Sequence, residues 1–387
     1  MTDLDRLLDF AERSRLPGGG FGYLGDDGRV LAGRPMETWI VARMTHVFGL
    51  AQLLGRPGAD ELVGHGVAAL TDGPLHDAGH GGWRSSTEDD TKAAYVHAFV
   101  MLAGATAATA GAEGGAKLLD EAVGVWQDRF WDDAAGLSVE EWDRAWTTCA
   151  DYRGINANMH GVEASLAAAD AIGDEETAAR LRAQALRTTE RAYRWSRERA
   201  WRLPEHFTAD WTPLPGYNRD EPAHPFRPYG VTVGHQFEWA RLALHLRSVT
   251  PEPPGWLLDG ALALFDAAAS RGWAADGHDG FPYTLDWDDR PVVGARMHWV
   301  LCEAVAAATV LAAVTGQPRY ADLARRWRAH GEERFADRAT GSWHHELTPT
   351  GEVATGTWSG QPDAYHLAQM LLLDGRPVRG SVAAALR

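Results

Sequence analysis

Four pairs of residues stand one helical turn apart in otherwise apolar segments: Trp39 and Arg43, Asn156 and His160, His235 and Glu238, and Asp363 and His366. Spacings of three and four put both members on one helix face. Taken singly, each pair reads as a solvated stripe or a satisfied core histidine. Four in corresponding positions point to a shared site. Histidine has an unperturbed pKa of about 6.5, so it takes and returns protons near neutral pH. Two histidines facing a sugar suit ring opening and removal of the proton alpha to the revealed aldehyde. Arginine and asparagine nearby suit negative charge developing on oxygen.

Other chemistries fit less well. No HExxH occurs, "HHEL" being the nearest, and Cys149 and Cys302 are too isolated for a thiolate site. A metal gathered from distant helices stays open. There is no GxSxG elbow for a serine nucleophile. Glu88, Asp89 and Asp90 resemble a Mg²⁺-diphosphate cluster, but acids at a solvated helix N-terminus explain them better. An inverting glycosidase needs two opposed carboxylic acids, for which Glu238, Glu303 and Asp363 are the candidates.

Helix-period patterns dominate the elements that carry these residues. Helices are expected near 3–14, 36–55, 58–71, 90–110, 115–131, 154–171, 174–196, 230–248, 255–271, 294–315, 319–335 and 360–373. "GFPYTLDWDDRPV" and "GSWHHELTPTGEV" alternate enough for short hairpins. Six segments share one form, a histidine followed by small and apolar residues: those of His46, His97, His160, His235, His298 and His366. They recur every ~50–75 residues, as a stacked supersecondary unit would. The helices between them are charged along one side. With no polar capping repeat in view, closure of six helical hairpins into an all-α (α/α)6 barrel is the economical fold. Residues 1–387 would then form a single catalytic domain with the six histidines crowding one mouth.

Hydrophobic residues make up 45% of the 387 and charged residues 23%, an ordinary globular balance. With 53 acidic against 37 basic residues the net charge is −16, which disfavours nucleic acid and anionic membranes as partners. No uninterrupted apolar stretch reads as a bilayer span. The acidic, amphipathic N-terminus does not read as a signal peptide, and two lone cysteines fit a reducing compartment, so a cytoplasmic location is expected. The 17 tryptophans, several in loops beside Gly, Asp and His, offer either rim packing or flat platforms for sugar rings.

The stretches "RMTH" with Trp39 upstream, "INANMH", "PYGVTVGHQFEWARL" and "QPDAYH" resemble the N-acylglucosamine 2-epimerase superfamily, from about residue 18 to 373. "HPFRPY" looks like its aldose–ketose isomerase branch, which acts on D-mannose. The resemblance implies an (α/α)6 barrel and chemistry without metal or cofactor. It implies His235 and His366 as catalytic residues, with Arg43, Asn156, His160, Glu238 and Asp363 around the sugar hydroxyls and Trp39 as an aromatic wall. The implied reaction is D-mannose to D-fructose, or D-lyxose to D-xylulose, through a cis-enediol. His366 is expected to move the carbon proton and His235 to open the ring. Glu238 is expected to orient His235 or bind a hydroxyl, and Arg241 to point to a loop or solvent. The alternatives are 2-epimerisation of a hexose or a cellobiose-type disaccharide, and sulfoquinovose isomerisation using Arg153, Arg227 or Arg296. A glycosidase and a non-catalytic sugar-binding toroid are the readings from other classes.

Overall fold

The computed structural model describes residues 2–387. Helices carry the fold, and the strands are two or three residues long. The chain divides into two compact units. The first comprises Met1–Thr188, Pro362–Tyr365 and Arg379–Arg387, and the second Thr189–Gln361 and His366–Val378.

The first unit holds α1 (Asp3–Glu12), α2 (Thr38–Leu53), α3 (Ala59–Thr71), α4 (Ala94–Thr109), α5 (Gly115–Val125) and α6 (Ile155–Ala171). It also holds the first half of α7 (Glu175–Glu198). Helices α2, α4 and α6 are buried on all sides, which is why their sequences lack a polar stripe. Helix α4 packs against α2, α5 and α6, and α2 against α3. The α4–α5 contact is backbone to backbone. A Cβ on Gly104 would lie 2.8 Å from the Leu119 nitrogen, and one on Gly115 2.7 Å from the Ala107 carbonyl carbon. Helix α1 opens with a capping box between Thr2 and Asp5.

The second unit continues α7 and adds α8 (Val233–Val249), α9 (Trp256–Gly272), α10 (His298–Thr315) and α11 (Pro318–Arg334). All but the first residue of α12 (Tyr365–Leu373) also belongs to it. Helix α8 packs against α9 and α10, and α10 against α11. Phe237 fills the space behind α8 against Phe265, Phe281 and Trp327. The expected hairpin near 280–292 forms from Thr284–Leu285 and Pro291–Val293, and Val231–Thr232 completes a three-stranded sheet leading into α8.

Three expectations shift. Helix α4 starts at Ala94, not near 90, because Ser86 and Asp89 side chains take the backbone N–H groups of Glu88, Asp89 and Thr91 in a loop. Glu88 and Asp89 are therefore loop residues, and Asp90 pairs with Arg84 at 3.0 Å. Helix α12 starts at Tyr365, not 360, where Asp363 accepts the Tyr365 N–H at 2.8 Å. Finally, α10 has the length and apolarity of a membrane span, although none was expected. Most of it is buried, as a core helix is, with Glu303 as its sixth residue.

Candidate active site

His235 is the third residue of α8, and His366 the second of α12. Both are almost fully buried. The two imidazoles flank the Trp299 indole, with ring centroids 5.3 and 5.5 Å from it. Gly234 makes room for that ring, since a Cβ there would lie 2.3 Å from it. Each histidine meets a buried glutamate through Nδ1: His235 with Glu205 at 2.9 Å, and His366 with Glu303 at 2.8 Å. An ionised carboxylate only accepts hydrogen bonds, so an imidazole bound to one donates from the nitrogen that faces it and turns the other nitrogen outward.

Glu303 accepts from Arg241 Nε at 2.8 Å through its other oxygen. Arg241 is 1% exposed, which corrects the expectation that it reaches a loop or solvent. A buried guanidinium requires anionic partners, and Glu238 supplies the second, 3.6 Å from Nη2 at i, i+3. Glu238 is itself fully buried, and Glu205 meets the His235 ring at Nδ1. The same helical spacing of three links Glu238 with Arg241.

Glu238, Glu303 and His366 offer ligand atoms within 4.8 Å of one another. The donor set suits a dication poorly. Both Glu303 oxygens are engaged, and the Arg241 cation sits against the carboxylate.

The first unit holds its own cluster. Arg43 donates to Asp363 at 3.0 Å and to the Tyr95 hydroxyl at 2.9 Å. Its guanidinium lies 4.3 Å from the Phe99 ring, 4.6 Å from Tyr365 and 5.1 Å from Trp39. Burial works against the charge, but Tyr95 and Asp363 outweigh it and raise the pKa above its usual value. Trp39 is fixed by its indole N–H donating to Glu37. His160 packs on Phe99 and Tyr95, with Nδ1 3.5 Å from Glu163, which also accepts from the Tyr365 hydroxyl. Asn156, one turn before His160, is half-buried.

The remaining inner-helix histidines have other uses. His97 donates from Nδ1 to the Ala93 carbonyl and accepts the Trp83 N–H at Nε2, and burial pushes it down to about 3. His46 is the ninth residue of α2, bound to Thr106, and burial takes it to about 4. His298 packs on His345. They form no single ring of acid–base groups. Two arginines considered for a sulfonate are already committed: Arg296 to Asp276 and backbone carbonyls, Arg153 to the carbonyls of Ala150 and Tyr152.

The site residues that sequence reasoning passed over are Glu205, Tyr95, Glu163 and Tyr365. Glu303 had been weighed only as a glycosidase acid. A signal existed for the glutamates. Glu303 in "HWVLCEAVAAA" and Glu205 in "RLPEHF" are lone carboxylates in apolar surroundings, which are rarely buried without a partner.

Residues 19–370 match the N-acylglucosamine 2-epimerase (GlcNAc 2-epimerase) family. The chain is similar to a D-mannose isomerase of Thermobifida fusca, 50% identical over 98% of this chain and 94% of that protein. It is also similar to a D-mannose isomerase of Pseudomonas cannabina pv. alisalensis, 45% identical over 98% and 93%. Among solved structures, a D-mannose isomerase superposes with a TM-score of 0.87 at 26% identity, covering 95% of this chain and 96% of that one. The chain belongs to the N-acylglucosamine 2-epimerase family, and its fold class is the (α/α)6 barrel that the alternating helices predicted.

Proposed function

We propose that this protein is an aldose–ketose isomerase that interconverts D-mannose and D-fructose, with D-lyxose and D-xylulose as a second pair. Residues 1–387 act as one catalytic (α/α)6 domain in the cytoplasm. The partner is a free monosaccharide, with no metal, no organic cofactor, no nucleic acid and no membrane. The observation that carries the reading is the pair of buried Glu–His dyads on either side of Trp299. Each dyad leaves Nε2 as the working nitrogen. Relatives named for D-mannose isomerisation, alike over nearly the whole chain, support the choice of sugar.

In this reading His235 moves protons at O1 and O5 to open the pyranose. His366 Nε2 then takes the C2 proton. The C2–H electron pair becomes the C1–C2 double bond and the carbonyl pair moves onto O1, giving a cis-enediolate. His235 takes the O2 proton and passes it to O1. The C2 oxyanion then collapses to a carbonyl and returns the double-bond pair to C1, where His366 delivers the proton it took from C2. Atoms and electrons balance without an external reductant. Arg43, Asn156 and His160 bind the sugar oxygens and Trp39 stacks on the ring. Asp363 holds Arg43 and Glu238 holds Arg241.

The test is NMR of the purified protein with D-mannose in D2O, with chelator present. Fructose formation is expected. Glucose without fructose would make the protein a 2-epimerase, and an unchanged spectrum with every free aldose would remove both readings.

A further inference from the structure

Glu205 precedes α8 by nearly thirty residues and shares no helix with His235. It is nevertheless placed with care. Leu203, Pro204, Glu205, His206 and Phe207 are consecutive buried residues in an extended segment, so neighbouring side chains point to opposite sides. Glu205 turns to His235 Nδ1 at 2.9 Å. His206 meets the Pro228 carbonyl through Nε2 at 2.7 Å and packs on Tyr217. Gln236, the residue after His235, donates to the Trp201 carbonyl at 2.6 Å. Phe207 packs on Trp195 with ring centroids 4.4 Å apart. The segment is therefore pinned upstream by α8 itself, through Gln236, and downstream by the Pro228 carbonyl in the loop before the strand that leads into α8. A carboxylate held that firmly has little freedom to follow a rotating imidazole, so it dictates the ring's orientation.

We propose that Glu205 is the positioning residue of His235, fixing its ring plane and its Nδ1–H tautomer so that Nε2 faces the substrate. This rests on the reading of His235 as an acid–base group. Glu205 does for His235 what Glu303 does for His366, but from a separate extended segment and without an arginine on its second oxygen. The two dyads are thus alike at the imidazole and unlike behind it. A tautomer fixed by a remote carboxylate is lost when the carboxylate becomes an amide, because the NH2 group can donate to Nδ1 and select the Nε2–H form.

Two measurements test the proposal. The first uses wild-type protein carrying ¹⁵N-histidine, without sugar, the His235 signal being identified by its loss in His235→Asn. A protonated Nδ1 is expected, and a bare Nδ1 overturns the proposal. The second is steady-state kinetics of Glu205→Gln. The expected result is a kcat lower by about 10²-fold or more with KM within about threefold, together with a shift of the His235 ¹⁵N signals toward Nε2–H. A folded Glu205→Gln with kcat within about threefold of wild type, or with only KM raised, overturns it. If that variant does not fold, the wild-type spectrum decides alone. A wild-type protein that leaves D-mannose untouched fails the isomerase reading, whereas the spectrum, recorded without sugar, still decides what Glu205 does to the ring.

Discussion

Glu303 Oε1 lies 2.8 Å from His366 Nδ1, and the same carboxylate accepts from Arg241 through Oε2. One side chain in the second turn of α10 thus meets the ring of α12 and neutralises a cation from α8. Replacing Glu303 with Gln keeps the shape but removes the charge and one acceptor. The expected outcome is a kcat lower by about 10²–10⁴-fold. Thermal unfolding should also move to lower temperature, because breaking a buried ion pair costs about 3–5 kcal/mol. Turnover of Glu303→Gln within a few-fold of wild type would remove the orienting role.

Arg43 makes two directed hydrogen bonds while lying against four aromatic rings. Lysine has the charge but not the planar fork. We expect Arg43→Lys to lower kcat/KM by about 10–100-fold, on the scale of one or two lost charge-assisted hydrogen bonds. Circular dichroism should stay close to wild type. Full activity in this variant would take Arg43 out of the site.

The two histidines separate in D2O. His366→Asn should lose exchange of the substrate C2 hydrogen together with product formation. His235→Asn should be slow on closed pyranose yet retain detectable exchange, since open-chain sugar still meets His366. Losses of about 10²–10⁴-fold are the usual scale for a single acid–base group. The opposite pattern reverses the assignment, and wild-type exchange in both variants removes both histidines from the chemistry.

Chelation bears on the Glu238, Glu303 and His366 cluster. Prolonged dialysis against chelator should leave kcat with D-mannose unchanged. A loss restored by Zn²⁺, Mn²⁺ or Co²⁺ would replace the proton-transfer assignment with metal-assisted chemistry.

Stability should depend on His46 and His97. Burial lowers both, from 6.5 to about 4 and about 3. Between pH 6.5 and 4 the unfolded chain binds protons that the folded protein refuses, so stability falls as pH falls through that window. It is fully present above 6.5. Urea midpoints should drop from pH 7 to 4.5, and His97→Gln should flatten that slope. An unchanged slope in His97→Gln would mean that His97 is not held neutral in the folded state.

Helix positions were legible because α2, α4, α6, α8 and α10 are buried all round and α7 is charged along one side. That contrast in composition survives without coordinates. His235, His366 and Arg43 were legible for the same reason, as polar residues at helical spacing in apolar runs. The partners were not. Glu205 and Glu303 approach their histidines from elsewhere in the chain, and no local spacing encodes a contact across 30 or 63 residues. The histidine repeat also misled. His46 lies eight residues beyond the start of α2 and His298 opens α10, so at about 1.5 Å per residue their depths differ by some 12 Å. Recurrence along the sequence is not recurrence at one level of a helix.

Gly234 has a practical consequence for anyone diversifying the protein toward other sugars. With Trp299 only 2.3 Å from where its Cβ would be, position 234 tolerates no side chain unless the indole leaves its place between His235 and His366. A randomised library at that codon therefore carries one productive residue. Every other variant couples a change in α8 to a displaced tryptophan, so its phenotype reports on position 299. Diversity belongs at 299 itself, with glycine kept at 234, where smaller aromatic or aliphatic residues widen the space between the imidazoles without moving the helix that carries one of them.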